Sequence, residues 1–185
     1  MAIGNFVSAG VVFHNYGKRD VSLALICSAI DATAQKVFPS ERKNNNRNKK
    51  FISKYLRIIT AFGFPGILAS GIRIKCENIR DLHTDRDGYV GIEDIIYHII
   101  RCGLIHECEI DSRIEFTDDT IIDDFDGVFK IPKQVFWGLA LAVILCEKNI
   151  GEVTADEVSI NLNGKDFAID ELWGQEGNLP TLLKR

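Results

Sequence analysis

No apolar run in this 185-residue sequence is long enough to cross a membrane. The longest run, from Val135 to Cys146, falls short of the roughly 20 apolar residues that a membrane-spanning helix needs. It is more typical of a helix buried in a protein core. Residues 1–13 also lack the basic start that precedes the apolar stretch of a secretory signal. We therefore expect a soluble, cytoplasmic protein that has no membrane partner.

Cysteine is too sparse, and too irregularly spaced, to frame a fold. The five cysteines are odd in number and include no Cys-x-x-Cys pair, which argues for reduced thiols and against a disulfide scaffold. Cys102 and Cys108 flank His106 and would suit zinc, but a fourth ligand is missing from the pattern. We predict no metal site and no cofactor.

The short motifs of several large enzyme classes are missing as well. The sequence contains no glycine-rich phosphate loop of the Walker or Rossmann type and no Gly-x-Ser-x-Gly elbow. This excludes the usual signatures of dinucleotide-binding enzymes, kinases and serine hydrolases. The net charge is -4, so any contact with nucleic acid depends on a local cluster of positive charge.

What the sequence does contain is helical periodicity, which predicts a mainly α-helical fold. The segment Lys18–Phe38 is apolar on nearly every side, so we expect its helix to be central. Three consecutive asparagines at 44–46 predict a loop over residues 41–50. Apolar spacing predicts three further helices, at about Asn48–Phe62, Ile92–Ile105 and Pro132–Lys148.

Shorter alternating segments predict a little β-structure. Strands are expected at about 113–117 and 128–131, with Asp126-Gly127 as a turn. The first strand lies within residues 107–126, a stretch with nine acidic residues and one basic residue, and the second strand follows it. Alternation around Asn163-Gly164 predicts a C-terminal hairpin with a tight primed turn. The expected organisation is one helical domain over residues 1–150, with an acidic hairpin insertion at about 107–131. A β-hairpin appendage would follow over residues 151–185.

A basic segment lies between Arg42 and Arg57, where the sequence has seven basic residues and no acidic one. Such a segment is either a solvated helix start or a patch that contacts phosphate groups. On the second interpretation, Lys49, Lys50 and Lys54 are candidate substrate-binding residues.

Arg101 and His106 are the candidate catalytic pair, at the end of the third predicted helix. The arginine fork can neutralise a phosphate, and histidine can transfer a proton near neutral pH. In a regular α-helix the two residues are about 140° apart. They converge only if the helix end is distorted, which Gly103 permits. By spacing alone, the same two residues could instead cap the last carbonyls of the helix.

The Arg-x4-His spacing, the early apolar helix with its isolated Asp31, and the acidic segment that follows resemble the HEPN superfamily of higher eukaryotic and prokaryotic nucleotide-binding domains. The resemblance covers about Lys18–Lys148. It implies a HEPN-like helical bundle that forms a homodimer, with the arginine and histidine pairs facing a shared cleft. It further implies a metal-independent endoribonuclease of a toxin–antitoxin or antiviral-defence system, with RNA as substrate and an antitoxin or another protein as partner.

The resemblance also implies the roles of individual residues. His106 would move the proton of the ribose 2′-hydroxyl or of the leaving oxygen. Arg101 would stabilise the charge of a phosphorane-like transition state, and Asp31 would orient one of the two. Tyr97 and His98 would line the cleft, while the basic segment with Lys49, Lys50 and Lys54 would guide the RNA backbone.

Two other interpretations stay open at this point. Cys102 directly follows the arginine, where active HEPN members carry asparagine, aspartate or histidine. Together with the acidic segment, this favours a non-catalytic HEPN-like module that binds a nucleotide or a protein. The third interpretation is a structural helical domain in which Arg101 and His106 are only caps.

Overall fold

The computed structural model describes residues 2–64, 66–76, 82–107, 110, 114–119, 123–125, 128–155 and 157–183. For residues 2, 99, 106, 107 and 123–125 it describes the backbone alone. The fold of these residues is mainly α-helical, as the sequence predicts, with a π-helix and three small sheets. The α-helices are α1 (Ala2–Asn15), α2 (Arg19–Val37), α3 (Asn44–Lys54), α4 (Leu56–Gly63), α5 (Ile92–Ile95), α6 (Val135–Ile144) and α7 (Leu179–Leu182).

The π-helix spans Ile96–Glu107 and continues directly from α5. The strands are short, and two of the three sheets are simple antiparallel pairs. The strands are β1 (Arg73–Lys75), β2 (Tyr89–Gly91), β3 (Ile114–Thr117), β4 (Asp123–Phe125), β5 (Val128–Pro132), β6 (Ser159–Leu162) and β7 (Lys165–Ala168).

The start of α3 corrects the loop predicted for residues 41–50. The helix begins at Asn44, because polar side chains complete its first turns. Arg47 Nη2 donates to Asn44 Oδ1 at 2.9 Å, and the buried Asn48 donates from Nδ2 to the Asn44 carbonyl at 3.1 Å. The single helix predicted over Asn48–Phe62 is in fact two, since α3 and α4 meet at Tyr55. Helix α1 is also a finding of the structure, which the periodicity analysis did not predict.

The β-structure after the π-helix has a topology that the sequence did not indicate. The expected strands correspond to β3 and β5, but these pair in parallel, and β4 adds to the other edge of β5. The predicted Asp126-Gly127 turn lies outside the described residues, as does much of the acidic stretch.

The predicted C-terminal hairpin is present as β6 and β7. Leu162 pairs with Lys165, so the connection has two residues, Asn163 and Gly164. Their φ values are 53° and 84°, which is the positive-φ pair that a type I′ turn requires. Buried residues of this C-terminal region, such as Ile160 and Trp173, belong to the same core as Ile3 of α1. The boundary expected at residue 150 stays a prediction.

Helix α2 is central, as its all-round apolar surface predicts, and it packs against α1, α3, α6 and the π-helix. Helix α6 is equally apolar and is buried along most of its length. Within the described part of the chain, none of the helices combines the length and the apolarity that a membrane span requires.

A polar network fastens α2 to the segment that follows α6. Lys36 Nζ donates to Asn149 Oδ1 at 3.1 Å and forms an ion pair with Glu152 at 2.8 Å. Asn149 in turn donates to Thr33 Oγ1 at 3.0 Å. Burial works to raise the pKa of Glu152, but the bonds from Lys36 and from the Gly4 N–H outweigh it and hold that pKa at about 2. The carboxylate therefore stays charged while it joins α1 and α2 to this segment.

Helices α4 and α6 approach each other closely through two glycines. A Cβ at Gly138 would lie 2.3 Å from the Ile59 carbonyl oxygen and 3.0 Å from the Gly63 Cα. We expect Gly138→Ala to reduce the free energy of unfolding by about 1–3 kcal/mol, since backbone must move to make room. Denaturant unfolding measures this loss. Gly177→Ala, where an added Cβ meets nothing within 4 Å, is the control, and an equal loss there would contradict the close-approach explanation.

Candidate functional site

The predicted catalytic pair lies on the π-helix. In a π-helix each carbonyl accepts a hydrogen bond from the N–H five positions later. Residue 106 therefore lies about one helical turn after residue 101. The distortion that their convergence requires is therefore present, and it extends over the whole helix, not only its end. π-Helices are rare and usually mark functional sites. The side chain of His106 lies outside what the structure describes.

Arg101 is paired with Asp31 across the contact between the π-helix and α2. Arg101 Nη2 donates to Asp31 Oδ2 at 2.8 Å. The arginine side chain is 11% exposed and the aspartate side chain 26%, so the pair is largely shielded from water. Burial acts to lower the pKa of Arg101, but the bond to Asp31 more than compensates and the pKa is raised. The isolated acid on α2 thus has a definite partner.

One carboxylate oxygen of Asp31 accepts no hydrogen bond from the described residues. Its Oδ1 atom is buried and has no hydrogen-bond partner among the described residues. A buried acceptor without a donor costs about 1–3 kcal/mol, so such atoms are uncommon unless a ligand or function uses them. This atom is a candidate acceptor for a hydroxyl or an amine of a ligand.

Tyr97 connects the arginine to the basic segment. The ring centroid of Tyr97 lies 5.5 Å from Arg101 Cζ and 5.7 Å from Lys49 Nζ, within cation–π range of both. His98 contacts the same ring edge to face, with 5.0 Å between centroids. Tyr97 itself is only 7% exposed. The ring therefore contacts two cations, and its predicted contact with a substrate stays a prediction.

Lys49 also forms an ion pair with Asp94 of α5. Asp94 was not among the site residues predicted from the sequence. The signal was available in the 94, 97, 98, 101 spacing, which is that of one helix face. The partner lysine, by contrast, comes from α3 and depends on tertiary packing.

Two thiols lie beside the ion pair. Cys27, one turn before Asp31 on α2, is 2% exposed, and burial together with the nearby Asp31 carboxylate raises its pKa to about 12. Cys102 is half-buried next to Arg101, and it contributes to the raised pKa of the Tyr97 hydroxyl, for which burial is the largest cause. Cys27 is therefore a neutral, packed thiol and not a nucleophile.

The other two predicted lysines lie elsewhere. Lys50 is exposed and forms an ion pair with Glu41 at 2.6 Å. Lys54 lies over the ring of Tyr55, with Nζ 5.3 Å from the centroid. The structure thus brings together Asp31, Tyr97, His98, Arg101 and Lys49, which we call the Arg101 cluster, while Lys50 and Lys54 lie outside it. The binding roles of both lysines stay predictions.

The Arg101 cluster offers two cationic side chains that can bind an anion. No group of three or more histidine, cysteine or acidic side chains close enough to hold a metal occurs within the described ranges, which omit Cys108. Arg101 and Lys49 share one aromatic ring, and each has a carboxylate partner, Asp31 and Asp94 respectively. Cations held in this way can bind a phosphate group that competes with those carboxylates.

A family model described as Rv1289 matches residues 2–185, so the chain belongs to the Rv1289 family. The match spans every element from α1 to α7. No curated protein and no solved structure matches the chain. The assignment of a function therefore rests on the geometry of the Arg101 cluster.

The Arg101–Asp31 pair is expected to stabilise the contact between the π-helix and α2. Asp31→Asn should lower the free energy of unfolding by about 1–3 kcal/mol, because it leaves a shielded guanidinium without its countercharge. A double-mutant cycle with Arg101→Met, followed by denaturant unfolding, isolates the coupling.

The control is Asp20→Asn in the ion pair Arg19–Asp20, whose side chains are 48% and 49% exposed. Exposed pairs contribute little, so this change should stay within about 0.5 kcal/mol. Additive losses from Asp31→Asn and Arg101→Met would show that the two side chains do not stabilise each other.

Proposed function

We propose that this member of the Rv1289 family is a metal-independent endoribonuclease of a toxin or antiviral-defence type, built on a HEPN-like helical bundle. The observation that carries the proposal is the π-helix, which sets residue 106 one backbone turn after an arginine fixed by Asp31 and Tyr97. An ordinary C-terminal cap needs neither the π-helix nor the partner carboxylate.

In the proposed reaction, His106 accepts the proton of a ribose 2′-hydroxyl. The 2′-oxygen then forms a bond to the adjacent phosphorus, and the bond from phosphorus to the 5′-oxygen of the next nucleotide breaks. The leaving oxygen takes up a proton from water, and His106 returns its proton to the solvent, so the products are a 2′,3′-cyclic phosphate and a 5′-hydroxyl. A single histidine near neutral pH can serve either proton transfer.

Arg101 stabilises the negative charge that develops on the phosphate oxygens. Its value comes from preorganisation, because Asp31 and the Tyr97 ring hold the guanidinium plane before substrate arrives. Asp31 is a positioning residue in this scheme. Lys49 adds a second positive charge on the same ring, and the basic segment, with His98 beside the ring, contacts the RNA.

A non-catalytic HEPN-like module that binds a nucleotide or a protein is the second candidate. The observation that favours it is the engagement of Arg101, whose side chain is 11% exposed and already paired with Asp31. Cys102 in place of a polar residue after the arginine agrees with it. In this case the Arg101 cluster recognises a phosphate but does not cleave RNA.

We also propose that the protein is a homodimer and that the outer face of α1 forms the contact. Phe6 and Phe13 of α1, and Tyr16, which directly follows the helix, are 39%, 41% and 77% exposed. With Ala9 they follow a 3-4-3 spacing, which is the spacing of helices that pack on each other. Helix α1 carries no lysine, arginine or acidic residue, so no like charges oppose the approach of an identical face.

Cleavage of labelled tRNA and mRNA in EDTA tests the ribonuclease proposal. We expect wild-type protein to leave 2′,3′-cyclic phosphate ends, and His106→Ala and Arg101→Ala to lower the rate at least 100-fold, the scale typical of a lost acid–base group. The exposed His83 and Arg86 provide matched control variants, His83→Ala and Arg86→Ala. Well-folded wild-type protein that binds RNA without cleaving it would leave the binding module as the function.

Light scattering after size-exclusion chromatography tests the dimer. Phe13→Glu should convert dimer to monomer, because it places a charge in the centre of the proposed helix contact. Leu68→Glu is the control, since Leu68 is 52% exposed and lies outside α1. A monomeric wild-type protein, or a dimer unaffected by Phe13→Glu, would remove the outer face of α1 as the interface.

A further inference from the structure

A cavity of about 500 Å³ lies between the junction of α3 with α4 and the C-terminal segment. This volume is within the range of small-molecule sites in proteins. The cavity shares no lining residue with the Arg101 cluster. Its lining residues are Lys54, Tyr55, Arg57, Ile58, Glu176, Leu179, Pro180 and Leu183.

Two cations line this cavity. Lys54 ends α3, Arg57 lies in the first turn of α4, and both are exposed. Among the described residues, neither has a carboxylate within ion-pair distance, although Glu176 lines the same cavity. Glu176 instead acts on the Tyr55 hydroxyl, whose pKa is raised by burial first and by Cys146 and Glu176 in addition. Among the described lining residues, two cations and one carboxylate leave the cavity with a net positive charge.

The rest of the lining is an aliphatic wall that comes mainly from α7 and its flanks. Ile58, Leu179, Pro180 and Leu183 form it. Among the described lining residues, the only aromatic ring is that of Tyr55, which is 2% exposed and has the Lys54 ammonium 5.3 Å from its centroid. No ring in the lining is therefore open to stack on a flat base, so the surface fits a flexible aliphatic chain better than a nucleobase.

We propose that this cavity binds an anionic amphiphile, with a carboxylate or phosphate head between Lys54 and Arg57 and an aliphatic chain against Ile58, Leu179 and Leu183. The two cations complement the charge of the head group. The aliphatic wall buries the chain, which favours binding. The proposal does not depend on the ribonuclease activity, because no residue of the Arg101 cluster lines the cavity. Lys54 and Arg57 do belong to the basic segment, so binding measured without RNA tests the cavity by itself.

Calorimetric titration of the full chain with dodecanoate and dodecyl phosphate, below their micellar concentrations, tests the site. We expect saturable one-to-one binding and a raised melting temperature with one or both ligands, which also shows the head group the site prefers. Lys54→Ala and Arg57→Ala should each weaken binding at least 10-fold. Lys148→Ala, which removes an exposed lysine away from the cavity, should leave binding unchanged.

Two comparison ligands make the outcome decisive. Dodecanol should bind at least 10-fold more weakly than dodecanoate, since it lacks the charged head. Three outcomes would overturn the proposal. One is equal binding of the alcohol, and another is tighter binding of uridine monophosphate. The third is no binding of either anion to protein whose circular dichroism shows it to be folded. Both cationic residues are exposed, so their alanine variants are expected to fold.

Discussion

The ion pair between Arg101 and Asp31 is the interaction on which the candidate site depends. A guanidinium that is 11% exposed cannot lose its charge, so the fold must supply a negative partner where it packs. Asp31 supplies it from α2, the helix at the centre of the core. The pair therefore ties the π-helix to the most firmly packed element of the molecule. Tyr97 and Lys49 are then arranged around a guanidinium whose position is already fixed.

The π-helix is the second element that gives the site its geometry. A regular α-helix would turn residues 101 and 106 to different sides, whereas the i→i+5 pattern places them in succession along one side. Such a helix has poorer hydrogen-bond geometry than an α-helix, so packing against α2 and the ion pair must compensate. Gly103, near its middle, removes one side chain from the crowded stretch.

Charge is distributed unevenly over the molecule. The chain is acidic overall, yet its basic segment divides between two places, with Lys49 in the Arg101 cluster and Lys54 and Arg57 at the cavity beside α7. Lys49 and Lys54 both lie on α3 and are five positions apart, so they are about 140° apart around the helix axis and face different surfaces. One basic stretch of sequence thus contributes to two separate surfaces.

The sequence by itself determined the helical class, the central apolar helix α2, the Asn163-Gly164 hairpin and the candidate Arg101 and His106, since each follows from local spacing or turn chemistry. It could not predict α1, whose apolar residues lie on two faces and do not form a simple amphipathic pattern. Nor could it predict the start of α3 at Asn44, which depends on hydrogen bonds from the Arg47 and Asn48 side chains back to Asn44. The HEPN resemblance assigned Asp31 an orienting role but did not decide whether it meets Arg101 or His106. The tertiary structure alone decided that Asp31 meets Arg101, that Lys49 and not Lys50 joins them, and that β3 pairs in parallel with β5. These contacts join residues far apart in the chain, and packing geometry, not local preference, selects them.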